Sequence, residues 1–296
     1  MFTKILLPLD GSELAEKALP YGIELGEKLS SELILFHVCG NEHQQYKRMH
    51  QLYLDRLAEL MTNDVNKDNL DNKIKVSTYI ESGEPYENIC RFIDKNGVNL
   101  IVMTTVGASG IKAGSFGSIA DRMCRTIPVP ILLVKPQSLP QTNNKERLIN
   151  HVLVPLDGSS LSKLALPWAE QLAARLGLEI TLFQMAQIIR PYVTSDTIES
   201  IDYTKLGEVE EKRVTAEMEV LVKELADKGL RANIKVTSGY DGAVEIIDTV
   251  KKIGADLIVM STHGRSGLGR WVYGSVAAKV MHAGDKPILL INARTG

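Results

Sequence analysis

The sequence lacks an excess of charge of either sign. Its 296 residues include 34 lysines and arginines against 36 aspartates and glutamates, which gives a net charge of −2 at neutral pH. A protein that binds nucleic acid needs a basic excess to neutralise phosphates, so we expect no nucleic-acid partner. Hydrophobic residues make up 44% and charged residues 24% of the chain. These proportions are typical of a packed globular protein and exclude wholesale disorder.

Cysteines and long hydrophobic runs are also scarce. Cys39, Cys90 and Cys124 are widely spaced and form neither a disulfide framework nor a zinc-ligand pattern, which favours a reducing compartment. No run approaches the roughly 20 apolar residues that a membrane-spanning helix requires. The apolar run near the N-terminus is too short for the core of a signal peptide. We therefore expect a cytoplasmic protein with no membrane partner.

The chain consists of two similar halves. Residues 4–12 read KILLPLDGS and residues 151–159 read HVLVPLDGS. Further matches follow in the same order in both halves, which indicates a duplication. At about 150 residues per domain, the length also fits two domains. The boundaries that we predict are a first domain over 1–137, a polar, turn-rich linker over 138–149 and a second domain over 150–296.

Each half alternates strand patterns with helix patterns. Short continuous apolar runs, such as residues 4–9, are typical of strands that are buried on both faces. Strands that alternate with helices predict parallel sheets with right-handed crossovers. We therefore expect an α/β protein with two tandem, doubly wound, open parallel sheets of five strands each, with helices on both faces. Pro20 and Pro167 lie inside the first predicted helix of each half, where we expect a kink. The second half gains 13 residues within 186–205, a stretch that could form a lid or a contact loop and that we interpret as surface decoration.

A glycine-rich segment with the spacing Gly-x2-Gly-x6-Gly-Ser follows the fourth predicted strand of each half. Its members are Gly107, Gly110, Gly117 and Ser118 in the first half and Gly264, Gly267, Gly274 and Ser275 in the second. Glycines let the backbone approach a ligand, and the helix that begins after the last glycine favours negative charge at its N-terminus. The spacing matches neither a Walker A loop nor the dinucleotide fingerprint. One such segment alone is more often a tight turn, but two copies at equivalent places favour an anion-binding cradle.

An aspartate, Asp10 or Asp157, follows the first strand of each half. Ligands of open parallel sheets bind beyond the carboxyl ends of the strands, so we expect each aspartate to line the same crevice as the glycine-rich segment. The sequence Asp-Gly-Ser also suits a turn or a helix cap. The two roles can coexist.

With these motifs in place, the sequence resembles the universal stress protein family in its tandem, two-domain form. The resemblance covers nearly the whole chain. Besides the Pro-Leu-Asp-Gly-Ser and glycine-serine motifs, it rests on Phe36-His37-Val38, Gly83-Glu84-Pro85, Val129-Pro130-Ile131 and Lys286-Pro287-Ile288. It implies a Rossmann-like fold of the adenine nucleotide alpha hydrolase type. On the pattern of the ATP-binding branch, it also implies bound ATP, with ADP and AMP as alternatives and Mg²⁺ as a companion ion.

The same resemblance implies a role for individual residues. Asp10 and Asp157 would face the adenosine, and the backbone at Val38 and Met185 would contact adenine. The glycines and serines of the two segments would hold the ribose and phosphates.

The first half departs from this pattern. It has Val106 and Ala108 where the second half has His263 and Arg265, so we expect its pocket to bind more weakly or to have a changed phosphate end.

We expect a nucleotide-binding regulatory module of the stress response and assign no catalytic residue. Phosphate hydrolysis needs a metal clamp and a base, and no compact acidic or histidine cluster is evident in the sequence. We interpret His43 and His50 as part of a solvated helix face. One alternative is a weak ATPase or an adenylating enzyme of the related ATP-pyrophosphatase class, and another is a nucleotide-free protein-interaction scaffold.

The apolar last strands of the two halves are expected at sheet edges. The family implies that they pair with each other as an intrachain pseudo-dimer, and a further homodimer stays open.

Overall fold

The computed structural model describes residues 2–40, 45–66, 74–107, 116–137, 147–187, 203–264 and 273–293. Contacts divide these residues into two compact units. Unit 1 contains the described residues up to 149 together with Tyr273 and residues 285–293, and unit 2 contains the described residues of 150–264 and 274–284. The exact domain boundaries stay a prediction, because most of the predicted linker lies outside the described residues.

The secondary structure alternates as expected for the α/β class. The strands are β1 (Lys4–Leu9), β2 (Glu32–Cys39), β3 (Val76–Ser82), β4 (Leu100–Thr104), β5 (Ile131–Val134), β6 (His151–Leu156), β7 (Glu179–Gln187), β8 (Arg231–Gly239), β9 (Leu257–Ser261) and β10 (Ile288–Ile291). The helices are α1 (Glu13–Glu16), α2 (Leu19–Leu29), α3 (Lys47–Asn66), α4 (Pro85–Asn96), α5 (Ser118–Thr126), α6 (Leu166–Leu176), α7 (Tyr203–Asp227), α8 (Gly242–Ile253) and α9 (Ser275–Ala283). None of the helices in the described ranges combines the length and the hydropathy needed to cross a bilayer.

The strand order confirms the predicted doubly wound fold of parallel strands, to which β10 is an antiparallel exception. In unit 1 the order is β3-β2-β1-β4-β5, all parallel, and β10 pairs antiparallel with β5. In unit 2, β9, β6, β7 and β8 lie side by side in that order and are parallel. The chain reverses its direction of winding between β1 and β4, and again between β6 and β9. These are the positions at which ligands bind in folds of this kind.

Apolar burial on both faces explains the continuous runs in the strands. Ile5, Leu6 and Leu7 of β1 have no exposed surface. Helix α2 packs closely against this strand because its contact face carries a glycine. A Cβ atom built on Gly22 would lie 2.7 Å from Cδ2 of Leu7, so a larger residue would push the helix away from the sheet.

The kinks expected at Pro20 and Pro167 are wrong. Pro20 lies in the first turn of α2, which is separate from α1, and Pro167 lies in the first turn of α6, after a 3₁₀ turn over Ser162–Ala165. A proline in the first turn leaves no hydrogen bond unmade, because the N–H groups there have no partner within the helix. Each proline therefore starts a new helix instead of bending a longer one.

Candidate functional site

Each unit contains a cavity at the carboxyl end of its sheet, where the winding reverses. The first cavity has a volume of about 140 Å³ and the second about 420 Å³. The predicted residues that line the first cavity are Asp10, Val38, Gly107, Gly117 and Ser118. Those that line the second are Asp157, Met185, Gly264, Gly274 and Ser275. The structure thus brings together every predicted site residue that it describes. Gly110, Gly267, Ala108 and Arg265 lie outside the described residues.

The turn after the first strand of each unit fixes the aspartate. Gly11 and Gly158 both have φ of +84°, a left-handed conformation that favours glycine. The Oδ1 atom of Asp10 accepts a hydrogen bond from the Ser12 amide at 3.0 Å, and Asp157 accepts the equivalent bond from Ser159 at 2.9 Å. One carboxylate oxygen therefore holds the turn.

The second carboxylate oxygen lies against the glycine-rich segment. A Cβ atom built on Gly107 would collide with Oδ2 of Asp10, and a Cβ atom built on Gly264 would collide with Oδ2 of Asp157. The first glycine of each segment is required for this close approach, independently of any ligand. The aspartate has both of the roles considered from the sequence, since it forms the turn and lines the cavity.

The last glycine of each segment leads directly into a helix. The Gly117 amide donates to the Thr105 carbonyl at 2.7 Å, and the Gly274 amide donates to the Thr262 carbonyl at 2.9 Å. Both glycines are N-caps without a side-chain capping bond. The first-turn amides of α5 and α9 therefore carry the partial positive charge of a helix N-terminus at the cavity wall.

Basic groups distinguish the second cavity from the first. Among its lining residues are His263 and Lys279, whereas the described lining of the first cavity contains no Lys, Arg or His. The Lys279 ammonium lies 2.8 Å from Oδ2 of Asp241, and this hydrogen bond lowers the pKa of Asp241. Asp241 also caps α8 by accepting a hydrogen bond from the Ala243 amide at 3.0 Å.

Sequence reasoning missed Lys279 and the apolar floor of each cavity. Lys279 follows Ser275 by one helical turn, so its spacing could have indicated a position on the same face of α9. The buried rings of Phe36 and Phe183 line the first and second cavities respectively. In the sequence Phe36 is part of a family motif, and its contact with the cavity depends on the strand order.

Comparisons with known proteins agree with this architecture. The model of the universal stress protein family matches residues 1–135 and 149–292. Universal stress protein YxiE of Bacillus subtilis is 26% identical over 148 residues, which cover 46% of this chain and 100% of the relative. Universal stress protein MJ0577 of Methanocaldococcus jannaschii is 28% identical over 155 residues, covering 46% and 96%.

A similar fold extends over the whole chain. The crystal structure of a universal stress protein from Archaeoglobus fulgidus matches 100% of both chains with a TM-score of 0.72 at 19% identity. At this identity the likeness shows the fold alone. The two family matches together span most of the sequence, and the chain belongs to the universal stress protein family.

Proposed function

We propose that this stress-response protein is a cytoplasmic regulatory module that binds ATP in its two cavities, with ADP and AMP as competing ligands. The observation that carries the proposal is that the same arrangement is built twice. In each unit an aspartate touches a glycine of the segment after the fourth strand, beside a helix N-terminus that has no side-chain cap. Both copies of the duplicated domain have kept these features at the same point of the sheet.

The apolar floor suits the base of the nucleotide. Phe183 and Ile246 line the second cavity next to Met185, whose backbone offers hydrogen-bonding groups to adenine. Phe36, Ile89 and Val38 occupy the equivalent places in the first cavity. Cofactor sites commonly combine an apolar lining with a few polar groups that fix the orientation of the ligand.

The polar edge suits the ribose and phosphates. A carboxylate accepts hydrogen bonds from hydroxyl groups, so Asp157 would bind the ribose. The amides at the start of α9 would bind phosphate oxygens, supported by the positive charge of Lys279. ATP brings Mg²⁺ with it, and Mg²⁺ is commonly held through one or two carboxylates together with the phosphates. Asp157, which lines the second cavity, is the candidate carboxylate for that ion.

The second cavity is expected to bind more tightly than the first. Ligand pockets usually measure about 300–1,000 Å³, a range that includes the second cavity at about 420 Å³ but not the first at about 140 Å³. The first cavity also lacks basic groups among its described lining residues. The smaller volume of the first cavity and its lack of described basic lining residues both favour weaker binding there. The presence of Val106 where the second half has His263 agrees with this expectation.

Isothermal titration of the full chain with ATP, ADP and AMP tests the proposal. We expect two classes of site for ATP, and we expect the tighter class to bind ATP more weakly in Asp157→Ala. Nucleotide extracted from the purified protein and counted per chain gives an independent measure. If millimolar nucleotide produced no heat, the protein-interaction scaffold would be the better account.

An enzymatic role makes a different prediction. A hydrolase or an adenylating enzyme would release phosphate or pyrophosphate over many turnovers, and Asp157→Ala would abolish that release. A binding module would instead retain intact ATP through the same incubation. We favour the binding module, because the described part of the second cavity offers no cluster of carboxylates and histidines around a single centre.

Pairing of the last strands supports an intrachain pseudo-dimer. Ile288, Leu289 and Leu290 of β10 lie opposite Leu133, Leu132 and Ile131 of β5. A further homodimer of whole chains would be visible by light scattering. A particle of only 32.6 kDa would exclude it.

A further inference from the structure

A histidine, a cysteine and a second histidine meet in unit 1 outside the first cavity. Alternate side chains of a strand share a face, so His37 and Cys39 of β2 lie on the same side, opposite Val38. His50 comes from the first turn of α3. One nitrogen of each imidazole and the Cys39 Sγ atom lie within 4.8 Å of one another. His37 is 5% exposed and Cys39 2% exposed, and His50 is half-buried.

The position of His50 corrects a prediction from the sequence. Its ring does not lie on a solvated helix face but stacks on the ring of His37, with centroids 4.4 Å apart and an angle of 22° between the ring planes. His43, which was grouped with it, lies outside the described residues.

The hydrogen bond of His37 leaves one nitrogen ready to bind a cation. Its Nδ1 atom lies 2.8 Å from the Leu9 carbonyl oxygen, which can only accept, so Nδ1 carries the proton. In that tautomer the Nε2 atom keeps an in-plane lone pair that can bind a metal ion. Metal-binding histidines are commonly oriented in this way, by donating the other N–H to a backbone carbonyl.

We propose that His37, Cys39 and His50 form a binding site for a borderline-soft divalent ion of the zinc class. Imidazole and thiolate ligands favour such ions over Mg²⁺, which prefers oxygen. Three protein ligands leave a fourth tetrahedral position for water or another ligand.

Binding requires a local rearrangement of His50. Ligand atoms about 2.0–2.3 Å from a tetrahedral zinc ion are roughly 3.5 Å apart, so the three groups must approach more closely. Two nearly parallel rings do not direct their in-plane lone pairs at one ion, so the His50 ring must turn out of the stack. His50 is partly exposed at the start of α3.

The second half of the chain provides an internal comparison. In the parallel registers of β1 with β2 and β6 with β7, Leu9 lies opposite His37 and Leu156 lies opposite Gln184. Gln184 and Ala186 therefore occupy the positions of His37 and Cys39. The fold does not need imidazole and thiol at these positions, and the ligand pair is specific to unit 1.

Titration of the metal-stripped full chain with Zn²⁺, and with Co²⁺ as a spectroscopic probe, tests the site. We expect one equivalent of Zn²⁺ per chain and a thiolate-to-cobalt charge-transfer band. We also expect release of the thiol proton on binding, because a metal ion binds cysteine as the thiolate. The variants His37→Gln and Cys39→Ala carry the residues of the second half and should therefore fold. Each of them, and His50→Ala, should weaken Zn²⁺ binding at least tenfold.

Control variants separate this site from other thiols and histidines. Cys90→Ser removes a half-buried cysteine outside the cluster and should leave the affinity and the charge-transfer band unchanged. Circular dichroism of each variant checks that it is folded. Equal Zn²⁺ affinity in the wild type, Cys39→Ala and His50→Ala would overturn the proposal. Binding that disappears in His43→Ala but persists in Cys39→Ala would also overturn it, as would a cobalt complex without a thiolate band.

Discussion

Replacing Gly264 by alanine tests the contact between the glycine-rich segment and the aspartate of the second cavity. The added Cβ atom would collide with Oδ2 of Asp157. Gly264 does not have a left-handed φ, so the substitution adds no left-handed strain and acts through this contact. The carboxylate must swing away or the segment must move, and either change displaces Asp157 from the position in which it would accept a hydrogen bond from ribose.

The expected loss of affinity follows from that hydrogen bond. A hydrogen bond to a charged group contributes about 1.5–3 kcal/mol. Since each 1.4 kcal/mol corresponds to a factor of ten, Gly264→Ala should weaken ATP binding at the second cavity by about 10-fold to 150-fold. If the effect passes through Asp157, the same substitution in an Asp157→Ala background should change the affinity by only about twofold or less, because neighbouring residues are not additive.

Isothermal titration of the full chain with ATP measures these affinities. The matched control is Gly207→Ala in α7, where a Cβ atom would meet nothing within 4 Å. This control should leave ATP binding unchanged and stabilise the fold by about 0.5–1 kcal/mol, as alanine does in place of glycine in a helix. A folded Gly264→Ala protein that bound ATP as tightly as the wild type would refute the reasoning. The reasoning would also be refuted if Gly264→Ala weakened ATP binding in the Asp157→Ala background by the same factor as in the wild type.

Three further predictions concern stability. Gly22→Ala should destabilise the protein by about 1–3 kcal/mol in urea denaturation, because its Cβ atom would press on Leu7, and an unchanged midpoint would contradict the close packing of α2. Gly158→Ala should lower the melting temperature, because alanine pays about 1–2 kcal/mol in the left-handed conformation at φ +84°, and a melt identical to the wild type would contradict that geometry. The hydrogen bond from Lys279 lowers the pKa of Asp241 in the folded protein below its value in the unfolded chain. The stabilisation that this bond contributes is complete above the unfolded pKa of about 3.9, and it is lost as the pH falls through the folded value. The difference in unfolding free energy between the wild type and Asp241→Asn should therefore shrink on acidification, and a difference independent of pH would contradict the pairing.

Local patterns predicted much of the fold. Buried runs such as residues 4–9 are continuous because parallel strands are covered on both faces, and this feature is visible without knowing the neighbours. The Asp-Gly-Ser turn was also predictable, since the left-handed glycine at Gly11 and the bond from Ser12 to Asp10 involve adjacent residues only. Duplication strengthened each inference by showing it twice.

Contacts between distant segments were not predictable in the same way. The spacing of His37 and His50 in the sequence does not show that their rings stack when α3 packs against β2. The ion pair of Lys279 with Asp241 depends on how α8 and α9 lie next to each other within unit 2. The prediction of a kink at Pro20 was wrong because the apolar pattern continues from α1 into α2 and therefore resembles the pattern of one longer helix.

A crystal structure of the full chain grown with saturating ATP would test the central proposal most directly. The account predicts adenine over Phe183, ribose at Asp157 and phosphates at the start of α9, with weaker occupancy of the first cavity. Two cavities without nucleotide, or closed by the protein's own side chains, would contradict it.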